Sequence, residues 1–135
     1  MSPKSRRVAG AILIVLPTVM IGGVSILTLL IGTPEYMKNP LRQDLWRAGH
    51  AHAGVLVILG LVCLLLTGAT ALTGFWAWLA GTGVLVAAIL MSAGFFFSAM
   101  GRGRERPNRA VILLGVGAVL LAAGVATLGV GLLLG

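Results

Sequence analysis

Long apolar runs, broken by short polar stretches, set the plan of this chain. Residues 8–31 are apolar apart from scattered Ser and Thr, with Pro17 among them. A polar stretch follows, Thr33-Pro-Glu-Tyr-Met-Lys-Asn-Pro-Leu-Arg42. Residues 53–101 then contain no Asp, Glu, Lys, Arg or His. A membrane-spanning helix needs roughly 20 apolar residues, so this run holds two spans and a tight turn. The stretch Gly101-Arg-Gly-Arg-Glu-Arg-Pro-Asn-Arg109 leads into a last apolar run, residues 110–134. The pattern predicts an all-α fold, an integral membrane four-helix bundle. It forms a single transmembrane domain over residues 1–135, with helices at about 8–31, 40–72, 75–100 and 110–134.

Local signals refine the boundaries. Asn39-Pro40 reads as a helix start, with Asn as the cap and Pro at the first helical position, where a missing N–H costs nothing. Thr73-Gly74 reads as the turn between the second and third helices. Pro17 predicts a kink in the first, because proline removes a backbone donor and crowds the preceding turn. Phe75, Trp76 and Trp78 open the third helix and Phe95, Phe96 and Phe97 close it, as interfacial aromatics do.

Composition agrees with the pattern. Hydrophobic residues make up 59% and charged residues 10% of the chain, whereas a soluble domain carries about a quarter charged residues. Such a chain cannot clothe itself against water. Its first partner is the lipid bilayer, and the expected location is the cell membrane, crossed several times. The net charge of +7 would otherwise suggest nucleic acid. Here the bases flank the spans, where they orient helices and meet anionic headgroups, so no nucleic-acid partner is expected. Lys4-Ser-Arg-Arg7 before an apolar run resembles a signal peptide, but the run is about twice the usual 7–15-residue core, and a retained helix is expected.

Orientation is contested within the sequence. The first and third loops share one side and hold seven bases (Lys38, Arg42, Arg47, Arg102, Arg104, Arg106 and Arg109), against three in the tail (Lys4, Arg6 and Arg7). The positive-inside rule then places both termini outside, while the positive tail of the first helix argues the reverse. The basic loop has two readings, a clamp for anionic lipid headgroups or an acidic partner through Arg102, Arg104, Arg106 and Arg109, or a solvated stretch that sets topology.

Small residues recur every seven positions: Ala110, Gly117, Gly124 and Gly131 on the fourth helix, Ala53, Gly60 and Thr67 on the second, Gly81 and Ala88 on the third. Seven residues are close to two turns, so each set forms one stripe. In lipid, helices associate through such stripes because small side chains let backbones approach. The seams serve either packing within one chain or association between chains, as a homo-oligomer or with a membrane partner subunit. The lone Cys63 lies in an apolar run and reads as a small packing residue.

His50 and His52 are the only histidines. Imidazole ligates haem iron, zinc and copper and also shuttles protons. Positions two apart on a regular helix diverge by about 200°, so both cannot aim at one metal. Measured from Ala53, His50 lies nearer the small-residue face and is the candidate metal ligand. His50 and His52 together are the candidate cofactor-binding positions, for haem b or a transition metal. The alternative is that both are interfacial residues bonded to water, phosphate or a backbone carbonyl. The segment Arg47-Ala-Gly-His50-Ala-His52-Ala-Gly54, before an apolar helix, resembles the His-x-His helix starts of haem-bearing membrane families related to haem–copper oxidases. That resemblance covers about ten residues and implies haem ligation by His50 or His52. Those families have more spans and further histidines on other helices, which this chain lacks.

The three acids, Glu35, Asp44 and Glu105, all fall in or beside the polar stretches, so no paired-carboxylate or Ser-His-acid constellation can be assembled and no catalytic residue is assigned. The expected function is that of a structural or accessory membrane subunit acting through helix–helix association. A haem- or metal-binding redox accessory using His50 is the alternative, and an oligomeric pore for a small neutral solute the third reading.

Overall fold

Ser2 and Pro3 start the first helix, earlier than the apolar run alone suggests. The Ser2 hydroxyl accepts the Ser5 backbone N–H at 3.1 Å, and Pro3 takes the first helical position, where its lost donor is harmless. Helix α1 therefore runs Pro3–Gly32 and carries Lys4, Arg6 and Arg7 on helical backbone. It continues through Pro17 without a break. In this computed structural model, which describes residues 1–134, the remaining elements are a single turn α2 (Pro34–Met37), α3 (Pro40–Thr67), α4 (Gly74–Ser98) and α5 (Arg109–Leu134). Among the described residues there is no strand, and α1, α3, α4 and α5 are each long and apolar enough to cross a membrane. The fold is an all-α four-helix bundle.

Asn39 caps α3 by accepting the Arg42 backbone N–H at 3.0 Å, with Pro40 at the first position. The helix ends at Thr67, five residues short of the expected 72. There the backbone tightens, with Gly68, Ala69 and Thr70 donating to the carbonyls of Leu65, Leu66 and Thr67. This early exit lets Leu72 fold back against Gly131 of α5. Gly74 then starts α4 at φ +56°, a left-handed conformation that a Cβ would strain.

Helix α4 is the centre of the bundle. Half of its span is buried, against 28% for α3, 17% for α5 and none for α1. Its residues Leu79–Gly83 form a widened π turn, and around it Cys63, Ala80, Val84 and Leu128 make the core, flanked by Leu59, Leu72 and Leu121. Helices α3 and α5 pack on either side of α4, and α1 lies outermost, chiefly against α3.

Glycines set the helix spacing. A Cβ on Gly60 would lie inside the Leu85 side chain, one on Gly81 would meet Leu64 and Thr67, and one on Gly117 would meet Met91 and the Ala87 carbonyl. Gly124 faces the Leu79 carbonyl of the π turn. Gly117, Gly124 and Gly131 are thus spent inside the chain, against α4 and the turn before it. Ala110, the first member of that heptad, sits in a partly buried 3-10 turn at the start of α5. Ala53 and Ala88 instead line a cleft beside α1. Gly94 against Leu114, and Gly49 against Phe95 and Phe96, are equally tight contacts that lie outside the seven-residue pattern.

Candidate functional site

Helix α3 lies between α1 and α4, and this position decides where the two histidines go. A single inward direction would leave one ring facing lipid. With neighbours on both sides, rings about 200° apart each meet a helix. His50 rests on the Gly22-Gly23 pair of α1, where a Cβ on Gly23 would stand 2.7 Å from Nε2 and one on Gly22 3.8 Å from Nδ1. The glycine pair is what gives the imidazole room.

His52 turns the other way. Its ring lies 4.7 Å from that of Phe95 on α4, and Nδ1 is 2.8 Å from the Ala48 carbonyl. A carbonyl only accepts, so Nδ1 carries the proton, and in the neutral ring Nε2 keeps its lone pair. His52 lines a cleft of about 300 Å³ with Leu56, Met91 and Leu121. The lining has no cation or hydroxyl to seat the propionates of a haem. Among the described residues no three His, Cys, Asp or Glu side chains converge as a metal site. The two histidines are therefore brought to opposite faces of α3 and not to one centre.

The polar end of the bundle is more highly organised. Residues 33–39 and 99–108 meet there, since Asn39 Nδ2 donates to the Arg104 carbonyl at 3.3 Å and Arg42 Nη2 to the Gly101 carbonyl at 2.6 Å. Gly101 at φ +124° and Gly103 at φ +63° shape the second of these loops. Asn108 closes it, donating from Nδ2 to the Phe97 carbonyl at 2.7 Å and accepting the Ala110 N–H at 2.8 Å. Tyr36, Trp46 and Phe96 pack in series as tilted rings, with centroids at 5.8 and 6.2 Å, and the Trp46 indole N–H donates to the Phe96 carbonyl. The Arg42 guanidinium lies 5.7 Å above the Trp46 ring, a cation–π distance.

A hollow of about 650 Å³ opens between the loops, lined by Glu35, Lys38, Asn39, Arg42, Arg102 and Gly103. Arg104 lines an adjoining hollow of about 400 Å³ with Lys38 and Glu105. Arg106 and Arg109 are exposed and line neither. Arg42 is the member that its place in the sequence does not reveal, because it meets the loop 59 positions away only through the fold.

Tyr36 is a further residue hidden within a polar stretch. It is 2% exposed, and its hydroxyl is enclosed without a hydrogen-bond partner. Burial raises the phenol above its ordinary 10.0, Arg47 opposes that, and Asp44 adds a little. The neutral phenol therefore stabilises the loop end fully below pH 10, and this contribution is lost as pH rises from there through the raised value. Tyr36→Phe removes an unpaired polar atom and should leave stability unchanged or raise it by about 1 kcal/mol. Thermal melts below and above pH 10 should show an alkaline loss in the parent protein that is smaller in the variant.

No family model, curated protein or solved structure matches the chain.

Proposed function

We propose that the chain is a multi-pass protein of the cell membrane that acts as a structural or accessory subunit through helix–helix association, with a second copy of itself as the nearest partner. The observation that supports this reading is a second small-residue face on α5. Gly115, Ala118, Ala122, Ala126 and Gly129 are all exposed, and nothing lies within 4 Å of a Cβ placed on Gly115 or Gly129. At 100° per residue this face is centred about 160° from that of Gly117, Gly124 and Gly131, its members lying about 100–180° from those glycines, which are occupied inside the chain. In lipid a small-residue face allows close backbone approach and is where a further helix packs. Self-pairing of one face about a two-fold axis is the commonest way for identical chains to meet.

The test is disulfide capture in reconstituted vesicles, in a Cys63→Ala background. Ala122→Cys should give crosslinked dimers on mild oxidation. Ile14→Cys, on the outer helix and 80% exposed, should give few. Equal crosslinking at both positions would mean random collision and would refute association through α5.

A further inference from the structure

We propose that the basic hollow between residues 33–42 and 99–108 is a binding site for the phosphate headgroup of an anionic lipid. Three cations, Lys38, Arg42 and Arg102, surround it against one carboxylate, Glu35. Cations gathered round one hollow repel each other, and a bound phosphate converts that repulsion into attraction. Arg42 is held ready for the anion. Its Nη2 is fixed by the Gly101 carbonyl and its guanidinium carbon rests over Trp46, which leaves Nη1 and the second Nη2 hydrogen for the hollow that Arg42 lines. The guanidinium therefore has donors left over in a fixed orientation, and the fork of a guanidinium matches phosphate oxygens.

Depth selects the source of the phosphate. Tyr36, Trp46 and Phe96 form a series of tilted rings that meets the hollow through Arg42 over Trp46, and aromatic belts of this kind sit at headgroup level. A phosphate diester at that level belongs to a lipid whose chains continue down the bundle surface. The glycines of the loop serve the same site. Gly101 and Gly103 take left-handed conformations on either side of Arg102, and so turn the chain to bring both the Gly101 carbonyl and Arg102 to the hollow.

Native mass spectrometry of the full-length protein, released from micelles doped with phosphatidylglycerol or phosphatidylcholine, tests the assignment. Phosphatidylglycerol should be retained preferentially. The Lys38→Gln/Arg102→Gln pair should weaken that retention by about 25-fold, at about fivefold for each base removed. Arg6→Gln/Arg7→Gln removes the same charge from the far end of α1 and should weaken it by less than about fivefold. Glu35→Gln removes the only acid lining the hollow and should strengthen retention, a gain that misfolding cannot mimic. Equal losses from the two arginine-containing pairs, no preference between the lipids, or no gain in Glu35→Gln would each overturn the proposal. Displacement of the lipid by an equal concentration of inorganic phosphate would assign the hollow to a soluble ion and overturn the lipid assignment.

Discussion

Gly124→Leu should leave little folded protein in detergent, while Gly129→Leu, five residues further along the same helix, should fold as the parent does. A Cβ on Gly124 would stand 2.7 Å from the Leu79 carbonyl oxygen and 2.8 Å from a Val84 methyl. Both obstacles belong to the centre of α4: one is backbone, and the other is the 0%-exposed Val84. Neither can swing aside, so a leucine would push α5 off α4. Overpacking a well-filled core costs about 1–3 kcal/mol for a few extra methylenes, and a side chain meeting backbone should reach at least the top of that range. At about 4 °C per kcal/mol for a domain of this size, the midpoint falls by about 10 °C or more. Gly129 has open space around it, so its leucine variant should keep its midpoint. By widening the outward face of α5 it should instead lose the crosslinked dimer. Thermal melts and dimer capture on both variants separate the two faces of α5.

The second large effect is expected where α1 meets the rest of the bundle. Helix α1 has no buried residue, and the Gly22-Gly23 contact with His50 is its tightest glycine-mediated seat. Gly23→Leu would drive a side chain into the imidazole and lift α1 from α3, with a loss of about 1–3 kcal/mol. His50→Ala alone removes a packed ring and should also destabilise. Combined, the two changes should cost less than their sum, because the alanine vacates the space that the leucine needs. Contacting residues show interaction energies of about 0.5–3 kcal/mol in such cycles. Strict additivity in thermal melts would mean that His50 does not seat α1.

Much of the fold is legible in the pattern of charges. Residues 53–101 have no ionisable side chain other than Cys63, and an apolar run of that length without the alternation of a barrel strand satisfies its backbone in lipid as helix. Asn39-Pro40 is legible for the same reason that it works, through a side-chain acceptor followed by a residue that has no donor to lose. The end of α3 is not legible. Residues 66–72 are Leu, Thr, Gly and Ala with no charge among them, and what stops the helix at Thr67 is the return needed to lay Leu72 on Gly131. The start of α1 was obscured differently, since three bases made a capped helical turn look like a tail.

The site residues divide along the same line. A histidine pair is conspicuous in any sequence, but its meaning depends on how many helices flank α3, which the sequence does not state. The basic hollow draws Lys38 from one loop, Arg42 from the first turn of α3 and Arg102 from the other loop. Counting charges by loop can sort these side chains to one end of the bundle, yet cannot show that Arg42 is fixed by Gly101 while Arg106 and Arg109 stand apart. Tyr36 is buried within a stretch whose composition reads as exposed. The fold shows it, packed against Trp46 with tilted rings and 2% exposed.

Four helices able to cross a membrane, with residues 33–39 and 99–108 joined at one end, predict a four-span topology. Single-cysteine labelling with a membrane-impermeant reagent, in intact cells and a Cys63→Ala background, tests it most directly. Ser2→Cys and Thr70→Cys should label from one side, and Lys38→Cys and Arg104→Cys from the other. The hydrogen bond from Asn39 to the Arg104 carbonyl requires the last two to share a side. Labelling of Lys38→Cys and Arg104→Cys from opposite sides would rule out the four-span bundle.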